Sequence, residues 1–82
     1  MITLCVITPE KNITKNVNWI DVHTPKGNYV IQPGHAPMLL IIREDKPVAF
    51  CLKNGKVESI KVRSAVMSVD RTVCTILAQK TA

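Results

Sequence analysis

Aromatic residues are almost missing from this chain: Trp19, Tyr29 and Phe50 are the only three in 82 residues. A core must therefore come mainly from Ile, Val and Leu, and no strand can interleave aromatics with Lys and Arg as a base-stacking nucleic-acid surface requires. Glycine is equally scarce, at Gly27, Gly34 and Gly55, which rules out a glycine-rich phosphate loop. His23 and His35 are the only histidines, and neither stands at metal-ligand spacing from another His or from a Cys. Cys5, Cys51 and Cys74 are odd in number and widely spaced, so they form neither a disulfide framework nor a Cys-x-x-Cys zinc or redox site. They read as reduced strand residues that pack as small hydrophobes. No serine lies in a nucleophile-elbow sequence. The longest apolar run, Met38-Leu39-Leu40-Ile41-Ile42, is far below the ~20 residues that cross a bilayer. No basic segment followed by a long apolar stretch stands near Met1, so the chain reads as soluble and intracellular. No catalytic residue, metal site or cofactor follows from any of this.

What is present is a short, basic, β-rich chain. Eighty-two residues suffice for one domain, 1–82, and a domain this small buries only ~60% of the surface its unfolded chain exposes. That leaves little room for a deep catalytic cleft and favours a binding or assembly module. The net charge of +5 comes from lysines and arginines scattered over turns and strands. Solvated turn lysines, which also discourage edge-to-edge sheet association, account for them without nucleic acid.

β-Branched runs bounded by Pro, Gly, Asn or Asp predict strands near 2–8, 16–24, 28–32, 38–43, 47–53, 57–63, 65–69 and 72–78. No window shows helical periodicity. Asn54-Gly55, between two such runs, is the strongest hairpin signal, since the pair tolerates the positive φ of a tight turn. Leu4 and Val6 are in phase, as are Ile20 and Val22, then Val48, Phe50 and Leu52, and Ile60 and Val62. Val17 lies three residues before Ile20, which breaks the period and predicts a bulge. With Ile20 and Val22 inward, Trp19, Asp21 and His23 face the other way. Trp19 either packs on long side chains of a neighbouring strand or is part of a partner contact.

The segment from Gly27 to Leu40 stands out, because two prolines and a glycine (Pro33, Gly34, Pro37) lock a short connection that carries His35 at its apex. It is either a rigid corner whose histidine is hydrogen-bonded locally or a preorganised edge that docks on a partner at little entropic cost.

The ordered set Leu4-Cys5-Val6-Ile7-Thr8-Pro9-Glu10, then Val17, Ile20, Val22 and Gly27, then Pro33-Gly34-His35-Ala36-Pro37 with Leu39, the Asn54-Gly55 hairpin and Thr75-Ile76-Leu77-Ala78 runs through essentially the whole chain. In it the sequence resembles the N-terminal domain of the epsilon subunit of F-type ATP synthases, called delta in mitochondria. The resemblance implies an all-β fold, a flattened β-sandwich of about ten short strands in two sheets. It implies a non-catalytic place in the rotor of a proton-translocating ATP synthase, peripheral on the cytoplasmic side of a bacterial inner membrane. There the domain would bind the gamma subunit and rest on the polar loops of the c-ring, coupling rotation to ATP synthesis, with no membrane insertion of its own. By position, His35, Ala36, Pro37 and Met38 lie towards gamma, and the turn Lys26-Gly27-Asn28-Tyr29 lies towards the ring. The alternative is a divergent β-sandwich adaptor that keeps the fold and binds another protein.

The chain also departs from the family's pattern. It stops at Ala82, before the C-terminal helical hairpin that relatives carry, so inhibition of hydrolysis and ATP binding do not carry over. Val30 stands where a glycine is common, and Arg63-Ser64-Ala65 replaces the usual Ser-Gly-Gly, so the backbone there is expected to differ. Asn28 and Gln79 occupy positions that are often acidic in relatives.

Overall fold

A sheet with one apolar face must cover it, and without helices the only available cover is more sheet. The computed structural model describes the backbone of residues 1–81 and the side chains of residues 1–79, and every regular element among them is a strand. In chain order these are β1 (Ile2–Ile7), β2 (Asn12–Thr24), β3 (Gly27–Ile31), β4 (Met38–Ile41), β5 (Val48–Leu52), β6 (Val57–Ile60), β7 (Val62–Val69) and β8 (Val73–Thr81). The strands hydrogen-bond in the order β4-β7-β8-β1-β2-β5-β6, with β3 paired to β2 off that path. β1 and β8 run parallel, and all other pairs are antiparallel. The resulting all-β body measures 26 × 26 × 18 Å over its Cα atoms, a flattened block whose short dimension fits two layers spaced ~10 Å apart. The described residues contain eight strands in one hydrogen-bonded sheet, seven along the path and β3 branching from β2, against the about ten strands in two sheets that the resemblance implies.

β2 makes that continuity possible. Its 13 residues pair with β1 through Asn12–Val17 and with β3 through Ile20–Thr24, while β5 takes the opposite edge from Val17 to Asp21. The strand begins four residues before the predicted 16–24, because Asn12 to Asn16 alternates polar and half-buried side chains with only Ile13 to announce an apolar face. Between Val17 and Trp19 the register against β5 shifts by one residue, so Asn18 is the extra residue of a bulge, at the break in apolar period. Its side chain supplies a bond at the interruption, donating to the Leu52 carbonyl at 3.2 Å.

The core is aliphatic, as the shortage of aromatics requires. Ile2, Leu4, Val17, Ile20, Val22, Ile31, Val48, Val62, Met67, Cys74 and Ile76 are all but fully buried, and Phe50 is the one buried ring. Register aligns the inward side chains in rows; one runs Leu40–Met67–Ile76–Val6–Ile13 across five strands. All three cysteines are free thiols. Burial pushes the Cys74 thiol above its ordinary range, so it packs as a neutral hydrophobe.

Tight connections keep the rows in place. At the β2–β3 turn the buried Thr24 hydroxyl donates to the Gly27 carbonyl at 2.9 Å and accepts the Lys26 N–H at 3.2 Å. The Asn54-Gly55 hairpin does form between β5 and β6, but Asn54 does not adopt the positive φ of a two-residue turn. The Gly55 N–H closes on the Leu52 carbonyl at 2.9 Å and Gly55 alone has positive φ, +90°, giving a three-residue Lys53-Asn54-Gly55 loop. The Asn54 side chain then accepts the Lys56 N–H at 3.0 Å.

The predicted boundary between 57–63 and 65–69 falls instead at Lys61, because Val62 already pairs with β8. Inside β7 the inward phase passes from Val62 to Ala65, an odd step absorbed at Ser64, whose φ is +50°. The left-handed conformation that a glycine would favour is thus kept by a serine. An L residue in that region costs about 1–2 kcal/mol. We expect Ser64→Gly to stabilise the domain by about 0.5–1 kcal/mol once glycine's extra unfolded-state entropy is deducted. For a domain of this size that is a rise in Tm of roughly 2–8 °C, measurable by calorimetry.

Candidate functional site

The proline-glycine corner begins where β3 ends. Gln32 accepts a hydrogen bond from the His35 N–H at 3.2 Å, with Pro33 and Gly34 between them and Gly34 at φ +82°. Pro followed by Gly at the two central positions is the chemistry of a type II turn, where the proline presets φ and the glycine supplies the positive one. The turn is tied to the far end of the sheet, since the Gly34 N–H donates to the Arg71 carbonyl of the β7–β8 hairpin at 2.9 Å. His35 is half-buried, and its Nδ1 lies 3.0 Å from the Ala36 carbonyl oxygen. The corner is therefore rigid and its histidine is hydrogen-bonded locally. Ala36 and Pro37 are exposed, and Met38 is half-buried against the core.

The second predicted group is split by the pleat. Lys26, Gly27 and Asn28 are exposed at the tip of the β2–β3 hairpin, but Tyr29 pairs with the buried Val22 and packs on the core. The structure nonetheless brings Lys26, Tyr29 and Met38 together. Thr24, Pro25, Lys26 and Tyr29 form one wall of a cleft of about 310 Å³, and Met38, Leu39, Leu40 and Ile41 form the other.

Trp19 faces away from Ile20 and Val22, as the alternation predicts, but it is only half-exposed. It stands directly opposite Cys51 on β5, which in turn faces Val57 on β6, so it packs over a neighbouring strand. Asp21 lies beside it with one carboxylate oxygen enclosed and without a hydrogen-bond partner. No cluster of three metal-ligating side chains occurs among the described residues. Their single ion pair, Arg43 to Asp45 at 2.6 Å, is solvent-exposed and contributes little to stability.

An apolar surface feature that no sequence motif announces lies on the outer side of β4, β7, β8 and β1. Ile41 of β4 pairs with Val66 of β7, Val66 with Leu77 of β8, and Leu77 with Ile7 of β1. Directly paired residues project to the same face, so these four side chains form an unbroken apolar row across four adjacent strands. All four are exposed, from 36% at Ile7 to 64% at Ile41, and Leu39 extends the patch at 78%. The signal was in the sequence. An uninterrupted run such as Met38–Ile42, or Ile76-Leu77-Ala78, makes both faces of a strand apolar, which alternation predicts only when both faces are covered.

A β-sandwich over the whole length of the chain is also what the family comparison finds. The model of the ATP synthase delta/epsilon chain β-sandwich domain matches residues 1–82. The chain belongs to that family. Among solved structures, it is similar to a chain of the Euglena gracilis mitochondrial ATP synthase (OSCP/F1/c-ring), with a TM-score of 0.87 and 18% identity over 99% of this chain and 52% of that one. It is also similar to a chain of the Tetrahymena thermophila mitochondrial ATP synthase central stalk and c-ring, with a TM-score of 0.79 and 17% identity over 99% of this chain and 65% of that one. The delta/epsilon domain thus spans between half and two thirds of the length of these two chains. Both are mitochondrial assemblies, so they lend nothing to a bacterial placement. No helix among the described residues is long and apolar enough to cross a membrane.

Gly34 is the test of the corner. A Cβ there would meet nothing within 4 Å, so only the backbone conformation resists substitution. We expect Gly34→Ala to cost about 1 kcal/mol, a fall in Tm of roughly 4–8 °C, while Ala36→Ser in the same corner leaves Tm unchanged.

Proposed function

We propose that this delta/epsilon domain is a non-catalytic part of an ATP synthase rotor that fastens the central stalk to the c-ring. It binds the gamma subunit through the outer face of β4, β7, β8 and β1, and its role in coupling rotation to ATP synthesis is mechanical. The observation that carries the reading is the exposed row Ile41–Val66–Leu77–Ile7 on a chain matched from end to end by the delta/epsilon model.

Magnitudes support the use of a whole face. A stable interface buries roughly 800 Å² on each partner, and the broad face of the domain is only about 26 Å on a side. Nearly all of one face must therefore engage, which requires a flat, rigid surface with apolar side chains near its centre. The corner His35-Ala36-Pro37-Met38 runs directly into β4, so it continues the same surface towards gamma. The tip Lys26-Gly27-Asn28 is the part offered to the ring loops, with Tyr29 anchoring the hairpin from inside. Asn28 makes that contact by hydrogen bonding where an acidic side chain would make it by charge. Trp19 lies on the β2–β5–β6 part of the sheet, away from the row.

Calorimetric titration with a cognate gamma subunit tests the reading. We expect a saturable one-to-one complex, weakened about tenfold or more by Val66→Asp or Leu77→Asp, because a desolvated carboxylate in an apolar contact costs well over 1.4 kcal/mol. Both side chains point to solvent in the free domain, so its melting should change little. Trp19 emission should be the same free and bound. A well-folded domain that ignores gamma, or aspartate variants that bind as well as the parent, would instead favour an adaptor for some other partner.

A further inference from the structure

The cleft between β4 and the β2–β3 hairpin has a property that its apolar lining alone does not reveal. The Ile42 N–H donates to the Ala65 carbonyl at 3.2 Å, which fixes the phase of the β4–β7 ladder. In an antiparallel pair the bonded residues alternate, so Met38 and Leu40 direct their backbone groups to β7. Leu39 and Ile41 direct theirs to the opposite edge, where no described strand pairs with β4. Arg43 follows the same phase, and its N–H turns to that edge to donate to the His23 carbonyl at 2.9 Å. That bond closes one end of the cleft. Between it and the corner lie two N–H and two C=O groups, belonging to Leu39 and Ile41, that face the wall formed by Thr24, Pro25, Lys26 and Tyr29.

We propose that this cleft takes an extended segment of a partner chain as an added strand on β4. Two residues of the segment, two positions apart, exchange four backbone hydrogen bonds with Leu39 and Ile41. Their side chains then stand beside those of Leu39 and Ile41 on the outer face, so both are apolar. The cleft volume of about 310 Å³ suits a short single strand and not a folded element. Among the described residues Lys26 is the only charged side chain that lines it, so the segment carries a carboxylate on its far side.

A second copy of this chain fits less well. Its β4, Met38–Ile41, has no charge to offer Lys26, and the first charged residue beyond it, Arg43, is a cation already paired with Asp45. The free edge also lacks the lysine, proline or bulge by which sheets normally discourage addition; β4 itself is Met-Leu-Leu-Ile. This inference does not depend on the rotor reading.

The probe is the blocked peptide acetyl-Val-Thr-Val-Thr-Val-Thr-Asp-amide, titrated into the full chain and followed by amide-resolved NMR and hydrogen exchange. In the free protein the Leu40 amide should be protected and those of Leu39 and Ile41 should exchange fast. Bound probe should shift resonances in Thr24–Tyr29 and Met38–Ile41 and slow the Leu39 and Ile41 amides by tenfold or more. Ile41→Pro deletes a donor that β7 does not use, and should weaken binding about tenfold while the fold persists. Leu39→Pro tests the second donor in the same way. Lys26→Glu should weaken binding about two- to fivefold. The proposal is overturned if the probe fails to bind at millimolar concentration, if the shifts fall elsewhere, or if Leu39 and Ile41 stay unprotected with the probe bound. Concentration-dependent protection of those amides without any probe would also overturn it, by assigning the edge to a second copy.

Discussion

Everything in this fold depends on β2 being paired on both of its edges. Ile20 is matched to Ile31 on one side and to Phe50 on the other, and Val17 to Ile2 and Leu52. A helix-free chain can hide an apolar face only by folding its own sheet over, and β2 is where the path from β1 to β5 and the branch to β3 meet. The bulge at Asn18 lets one strand serve both regions, because it shifts the side-chain phase by one residue in the middle of the strand. Without that shift, Val17 could not be buried together with Ile20, Val22 and Thr24.

From that constraint comes a molecule with little interior and much face. Aliphatic rows fill the inside, and tight hairpins held by Thr24, Asn54 and the Pro33-Gly34 turn keep the strands in register. The result is a stiff plate, and stiffness is what a docking module needs, since a surface that is already ordered loses little entropy on binding. The outer row from Ile41 to Ile7 gives the plate a side. β4 is apolar on both faces and β7, β8 and β1 each add an exposed apolar side chain beside it, which a free-standing sandwich does not require and a covered one does.

Much of this was legible in the residues. Alternation located most of the buried positions, the odd spacing from Val17 to Ile20 located the bulge, and the Pro33-Gly34 pair announced a turn. The rest was hidden for definite reasons. Asn12–Asn16 carries too little apolar contrast to read as strand, although β1 holds it in one. Asn54-Gly55 names a hairpin without saying which of the two residues will turn left-handed, and the closure from Leu52 to Gly55 decides that. The loss of glycine at Ser64 suggested a changed backbone, but the odd step in burial phase keeps positive φ there. The site was harder still. Nothing in a linear sequence says that Ile41, Val66, Leu77 and Ile7 are neighbours, because only the register of three strand pairs puts them in line. Tyr29 follows an exposed turn in sequence, and one step of the pleat turns it inward.

The central claim is that the outer row is the covered face of this domain in an assembled rotor. Cysteine footprinting measures it most directly: single cysteines at Ile7, Ile41, Val66 and Leu77, and at Val57 on β6 as a control, in a background without Cys5, Cys51 and Cys74. Each is labelled in the free domain and again in the reconstituted stalk. The account predicts strong protection at the four row positions on assembly and unchanged labelling at Val57. Protection at Val57 with the row still open would contradict it.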